Sequence, residues 1–288
     1  MAITLAVLSA LCFGIALIAA RIGLRTLDAR SGAAISIPTA TLLFVLAAPF
    51  AFDARDFSLD AAIVFAVVGV FFPALVTILT FRSNELLGPT VTSAVSGTAP
   101  LFALAAASLL LGEKVPAQAA IAAAGVALGI VLLSWNPGAV HRRFAGRALL
   151  WPVAGAVVRG VAQVGAKAGL LLWPNPFAAC LIGYAVSSAT VVTADRFRGG
   201  KRRRPTPQSV LWFGMTGALN GSAMLLMYAA LSMAAVSTVA PIVAAYPLVT
   251  ALASALVLRG EMLTMRIFAG AAVTVGAIVY LVASTGAP

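Results

Sequence analysis

Ten apolar segments, each of about twenty residues, follow one another along this 288-residue chain. A helix needs about 20 residues to cross the hydrocarbon core of a bilayer, because it rises about 1.5 Å per residue across roughly 30 Å. Bounded by charged residues, Pro or Gly, the segments lie at residues 3–24, 33–52, 61–81, 90–111, 117–135, 148–172, 177–194, 209–231, 236–258 and 265–284. The alternating polarity of a transmembrane β-barrel is absent from the sequence. The sequence therefore predicts an all-α integral membrane protein with ten transmembrane helices.

The composition excludes a water-soluble protein. Hydrophobic residues make up 62% of the chain, charged residues 9%, and the mean hydropathy is +1.06. Soluble domains are about half apolar and a quarter charged. Both cysteines lie in apolar segments, so neither a disulfide framework nor a metal site is expected, and no cofactor is predicted.

Lys and Arg are distributed unevenly between the two ends of the predicted helices. The connections between the predicted segments are numbered from the N-terminus. The odd-numbered connections, together with the adjoining ends of the segments, hold 15 of these residues, whereas the even-numbered connections hold 2. Because short cationic loops stay in the cytoplasm, we expect the odd connections inside and both termini outside, in a bacterial plasma (inner) membrane. The basic run at residues 198–204 is expected to fix this topology and to contact membrane lipids, not nucleic acid.

The charged residues within the predicted segments are cations. All eight acids lie outside the ten segments, which disfavours a transporter of lipophilic cations, since such sites commonly use a buried carboxylate. Arg159 lies near the middle of the sixth segment, where insertion costs about 2.5 to 3.5 kcal/mol. Two interpretations stay open: a structural Arg that binds helix carbonyls, or an anchor for an anionic substrate. Arg21 and Lys167 are secondary candidates that can extend towards the interface, so a structural role is favoured for both.

The two halves of the chain repeat each other. Matched residues 146 positions apart are Gly14 and Gly160, Arg21 and Lys167, and Gly23 and Gly169. Pro100 and Pro247 also match, 147 positions apart, which requires one inserted residue. The repeats, at residues 1–140 and 141–288, have five helices each, so the second must enter the membrane from the opposite side. Secondary transporters use this inverted plan and bind substrate near the midplane between the halves.

The repeated motifs resemble EamA domains of the drug/metabolite transporter superfamily. In the first half they are Phe13-Gly14 leading to Arg21, Thr98-Ala99-Pro100-Leu101 and Leu111-Gly112-Glu113-Lys114-Val115; in the second half they are Ala245-Tyr246-Pro247-Leu248 and Gly260-Glu261. The resemblance covers nearly the whole chain. It implies a ten-helix exporter or importer of small metabolites with a central cavity and alternating access. The family's usual Trp-Gly is Phe13-Gly14 here and Arg159-Gly160 in the second repeat, which strengthens Arg159 as a selectivity residue.

The predicted binding site lies at the depth of Arg159. Its candidate substrate-binding residues are Arg159, Gln163, Asn220, Ser222, Tyr228 and Tyr246. Gln163 lies one helical turn from Arg159 on the same face. Pro100 and Pro247 either expose backbone carbonyls to a ligand or kink their helices, and kinking is favoured. No catalytic residue is predicted.

The leading hypothesis is a secondary transporter, of the exporter type, for a small anionic or zwitterionic metabolite such as an amino acid. A flippase for a lipid-linked phosphate is the alternative, because the same cation could bind the phosphate. A membrane enzyme is disfavoured, since the single histidine, His141, lies in a basic connection and catalytic motifs are absent. Three Gly-x-x-x-Gly faces, at residues 125–129, 165–169 and 217–221, predict close helix packing within the chain, with a homodimer interface as the alternative.

Overall fold

The computed structural model describes residues 1–53, 55, 57–134, 146–197, 204–257 and 265–284, and all regular elements in these ranges are helical. The α-helices are α1 Ala2–Gly23, α2 Ala29–Ala51, α3 Leu59–Gly69, α4 Val76–Ser96, α5 Ala99–Leu111, α6 Ala117–Ser134, α7 Leu150–Leu172, α8 Pro176–Arg196, α9 Pro207–Met233, α10 Val236–Val243, α11 Tyr246–Val257 and α12 Met265–Ser284. A π-helical segment, Val70–Leu75, joins α3 to α4, and a 3-10 turn, Gly146–Leu149, precedes α7.

The predicted membrane segments correspond to the helices of the described residues. Seven helical stretches are long and apolar enough to cross a bilayer, and three shorter apolar helices accompany them. Together they match the ten predicted segments one to one, which confirms the all-α membrane fold. His141, residues 198–203 of the basic run, and Glu261 lie outside the described residues.

Helix α4 contains the end of one membrane crossing and the start of the next. The hydroxyl oxygens of Ser83 and Thr92 are 2.8 Å apart. In a straight helix, residues nine positions apart are separated by about 13 Å along the axis. The chain therefore turns back between them, where the sequence contains Gly88 and Pro89.

Two crossings are interrupted near their middle. A turn at residues 97–98 separates α4 from α5, and residues 244–245 separate α10 from α11. Pro100 and Pro247 are each the second residue of the helix that follows, a position where the missing N–H of proline is not needed. Both prolines were predicted at helix breaks, and the structure has a break directly before each one, so each proline lies at the start of a new helix instead of bending a continuous one.

The third crossing is bent next to its proline. Phe72 has φ −139° and ψ 115°, outside the helical region, and Pro73 follows it directly. Proline lacks the N–H of a regular helix and its ring crowds the preceding turn, so helices commonly bend there. The bend faces the centre of the molecule.

Helices of the first half pack mainly on helices of the second half. Helix α1 packs on α9 and α11, and α7 packs on α3, α4 and α5; α2 pairs with α8, and α6 with α12. A Cβ atom added to any of the six glycines of the three Gly-x-x-x-Gly motifs would lie within 4 Å of another residue of the same chain. This agrees with the predicted packing within the chain. Close backbone approach between small residues therefore holds the two halves together.

Candidate functional site

Arg159 lies on α7 at the centre of the helix bundle. Its guanidinium carbon is 5.4 Å from the centre of the Phe72 ring, 5.6 Å from that of Tyr246 and 5.7 Å from that of Phe13. The negative faces of aromatic rings attract a cation, but they carry no net charge. The Nε atom is buried without a hydrogen-bond partner, and no ion pair links Arg159 to an acid within the described residues.

A first cavity lies beside the guanidinium. It contains about 520 Å³ of empty space when the space out to its open mouth is included. Its lining residues are Phe13, Ala16, Leu17, Phe72, Pro73, Val76, Thr77, Thr80, Phe81, Arg159, Tyr184, Asn220 and Tyr246. Most of this lining is apolar. The half-buried Asn220 adds an amide that makes no hydrogen bond to the described part of the chain.

A second, smaller cavity lies where the two helix interruptions meet α7, with about 230 Å³ of empty space when the space out to its mouth is included. Its lining residues are Ser96, Ala99, Pro100, Arg159, Gln163, Ala240, Val243, Ala244 and Tyr246. Arg159 and Tyr246 line both cavities, so these two side chains form the partition between them.

Gln163 extends the polar face of α7 into the second cavity. Its side chain is 4% exposed, and its Nε2 donates a hydrogen bond to the Met227 sulfur at 3.5 Å. The amide oxygen is buried and has no partner. Arg159 and Gln163 therefore present an unpaired donor and an unpaired acceptor on one face of a single helix.

The structure places some of the predicted site residues away from the cavities. Ser222 is exposed, because two residues beyond Asn220 a helix has turned by about 200°. Tyr228 is buried in the core with its hydroxyl unpartnered, and it lines neither cavity. Pro247, the second residue of α11, lines neither cavity, whereas Pro100 lines the second. Asn220 lines the first cavity, and Tyr246 lines both.

The two secondary cations bind backbone carbonyls, Lys167 at the carboxyl end of α9 and Arg21 within α4. Lys167 Nζ donates to the carbonyls of Leu231 at 2.7 Å and Ala234 at 3.0 Å, at the end of α9. Arg21 Nη1 donates to the carbonyl of Asn84 at 3.2 Å. Cations stabilise helix C-termini, where carbonyls lack intrahelical partners. The favoured structural role of both residues agrees with these contacts.

Glu113 binds the start of α10, directly after the α9 carbonyls that Lys167 binds. The sequence analysis did not predict this contact. Its carboxylate accepts hydrogen bonds from the backbone N–H groups of Val236 at 3.3 Å and Ser237 at 3.0 Å, at the start of α10. Lys167 and Glu113 thus bind the carbonyl end of α9 and the amide end of α10. The partner helix is over 120 residues away in the sequence, so local spacing contains no signal for the contact.

Several lining residues of the first cavity were also not among the predicted site residues. They are Phe13, Phe72, Thr77, Thr80 and Tyr184. The sequence repeat contains a signal for one of them, since Phe13 precedes Arg159 by 146 positions and is its counterpart. The two counterparts meet at the centre of the molecule.

The fold and the site define a polytopic α-helical membrane protein with a central cavity that contains a cation. The profile of the EamA-like transporter family matches the chain twice, at residues 1–135 and 146–283. The chain therefore belongs to the EamA-like transporter family, within the drug/metabolite transporter superfamily, as its motifs predicted. Members of this family are transporters.

The structural comparison agrees with this assignment. One solved crystal structure is similar with a TM-score of 0.75 over 99% of this chain and 97% of that chain, at 17% sequence identity. At this identity the likeness concerns the fold alone. No curated protein matches the chain in a sequence comparison.

Proposed function

We propose that this protein is a secondary transporter, of the exporter type, for small anionic or zwitterionic metabolites whose carboxylate pairs with Arg159. The observation that carries the proposal is the guanidinium at the junction of the two cavities: within the described residues no acid pairs with it, and its buried Nε–H has no acceptor. A charge within the membrane is costly, and an unpaired buried donor adds to that cost. A carboxylate would accept two parallel hydrogen bonds from the planar guanidinium and neutralise its charge.

The lining of the first cavity supports a small amphiphilic substrate. Polar groups of Thr77, Thr80 and Asn220 accompany Arg159, and the remaining lining is largely apolar. The carboxylate would bind at Arg159 and Asn220, while the rest of the molecule contacts the aromatic and aliphatic side chains.

The chain would move the substrate through two inverted five-helix repeats, residues 1–140 and 141–288. The repeat counterparts Arg21 and Lys167 make equivalent contacts, to carbonyls 147 positions apart. Gly23, close to Arg21, packs on Phe213 near the start of α9, whereas Lys167 binds the end of α9, about 27 Å further along that helix. Opposite positions of equivalent residues support an inverted arrangement.

From the charge count, the proposal places the odd connections in the cytoplasm and both termini outside. The membrane is proposed to be a bacterial inner membrane. The first cavity extends towards the odd connections, since Thr80 and Phe81 lie near that end of the third crossing. The opposite end is closed by Trp173, which is 1% exposed and donates to the Arg55 carbonyl at 3.1 Å. On the proposed orientation, we assign this conformation to the state that takes up substrate from the cytoplasm.

The test is uptake of labelled carboxylates and amino acids into proteoliposomes that contain the wild type, Arg159→Gln or Arg30→Gln. Arg30 is exposed at the start of α2, so its variant removes a cation without changing the cavity. We expect the Arg159 variant to lose at least about 90% of uptake and the Arg30 variant to retain it, since a lost charged contact of 1.5 to 3 kcal/mol corresponds to about 10- to 150-fold.

Full carboxylate uptake by a folded Arg159→Gln variant would contradict the anchor role. Transfer of a lipid-linked phosphate between leaflets, with no uptake of soluble acids, would instead favour the flippase.

A further inference from the structure

The second cavity contains two buried polar atoms of opposite hydrogen-bonding character, neither of which has a partner in the described part of the chain. One is the Nε–H donor of Arg159, and the other is the Oε1 acceptor of Gln163. The residues are four positions apart on α7, so their side chains lie one above the other on a single face. Both residues line the cavity.

The orientation of the Gln163 amide follows from its neighbour. A thioether sulfur accepts hydrogen bonds and has none to donate, so the amide directs its Nε2 towards Met227 on α9. This leaves Oε1 unpaired among largely apolar lining residues such as Pro100, Ala240 and Val243. A buried acceptor in such surroundings is costly unless a ligand donates to it.

We infer that the second cavity is a subsite for a hydrogen-bond donor next to the substrate's carboxylate, so that the transported molecules are 2-hydroxy or 2-amino acids and not simple carboxylates. The inference rests on the proposed function, because Arg159 must bind the carboxylate. The hydroxyl or ammonium group on the adjacent carbon donates to Gln163 Oε1. Side chains four residues apart on a helix begin about 6 Å from each other, a spacing that a carboxylate and its 2-substituent can bridge.

The position of the pair between the cavities agrees with this arrangement. Arg159 forms the partition together with Tyr246, so a head group bound there reaches the second cavity while the chain of the substrate remains in the first. The smaller cavity then holds the 2-substituent, and the chain of the substrate points into the larger one.

The test is isothermal titration calorimetry of the full-length protein in detergent with hexanoate, 2-hydroxyhexanoate and 2-aminohexanoate. These probes share one apolar chain and differ only in the group beside the carboxylate. The variants are Gln163→Leu and, as a matched control, Gln118→Leu, since Gln118 is exposed near the start of α6. We expect the wild type and the control to bind the 2-substituted acids about 10- to 100-fold more tightly than hexanoate.

In Gln163→Leu we expect this preference to fall below about threefold, while hexanoate binds as it does to the wild type. Equal affinity of the wild type for all three acids overturns the inference without any variant, and so does a preference that survives in Gln163→Leu. If the Leu variant does not fold, Gln163→Met provides the same loss of the acceptor with a similar shape.

Failure of the proposed function gives a different result. In that case none of the three acids binds the wild type, or their binding is the same in Arg159→Gln. Failure of the inference alone leaves Arg159-dependent binding of all three acids with equal affinity.

Discussion

The guanidinium carbon of Arg159 lies 5.6 Å from the centre of the Tyr246 ring, and both side chains line the first and the second cavity. Arg159 belongs to a continuous helix, whereas Tyr246 is the first residue of a helix that starts after an interruption. Arg159 is therefore held by an uninterrupted helix, whereas Tyr246 lies at a point where the backbone can change direction.

The aromatic ring of Tyr246, and not its hydroxyl, is expected to position Arg159. Tyr246→Phe keeps the ring, so we expect its transport to stay within about twofold of the wild type. Tyr246→Leu removes a cation–π contact of about 0.5 to 2 kcal/mol, which corresponds to a loss of about 2- to 30-fold at low substrate concentration. Initial uptake rates in proteoliposomes measure the difference, and equal rates for the Leu and Phe variants would show that the ring has no such role.

Loss of the Lys167 ammonium is expected to destabilise the turn between α9 and α10. Lys167→Met leaves the carbonyls of Leu231 and Ala234 without their donor. Because the group is only half-buried, we expect a loss of about 1 to 2 kcal/mol, seen as a lower Tm in detergent. Lys114→Met is the control, since Lys114 is exposed. Identical melting of the two variants would contradict the structural role of Lys167.

The contact between α7 and α5 is expected to reject any side chain at position 160. A Cβ atom added to Gly160 would lie 2.8 Å from the Ala103 nitrogen and 2.9 Å from the Ala99 oxygen, both backbone atoms. We expect Gly160→Ala to cost about 1 to 3 kcal/mol, measured as a shift in the denaturation midpoint.

Gly214→Ala is the matched control for this change, because nothing lies within 4 Å of its added Cβ. It should leave stability unchanged or raise it slightly, since Ala is the better helix former. If Gly160→Ala is tolerated equally well, the two helices are not held at the observed distance.

The ten crossings follow from sequence because length and apolarity are local properties. A run of about 20 apolar residues must become a helix in lipid, since no other structure satisfies its backbone groups within the segment. The interruptions were harder to predict. Pro100 and Pro247 are visible in the sequence, but whether a proline bends a helix or follows a break depends on what neighbouring helices supply to the freed backbone groups.

The candidate site was predicted in part. Arg159 is identifiable because a mid-membrane charge is costly, and Gln163 is identifiable from its distance of one helical turn. Ser222 and Tyr228 show the limit of this reasoning, since depth in the membrane does not determine which face of α9 points inwards. The rings around Arg159 come from three separate crossings, so no spacing within one segment could bring them together.

The sequence by itself determined that this chain crosses a membrane as ten helices in two related halves, with a cation at mid-depth. Hydropathy and internal repetition depend only on the order of residues along the chain. Only the tertiary structure decided that Phe13, Phe72 and Tyr246 surround that cation, and that Lys167 and Glu113 hold one turn from opposite sides. The physical reason is that these contacts join residues far apart in the chain, and their geometry depends on how closely the helices approach. That distance is set by packing between glycines and backbone atoms of different helices.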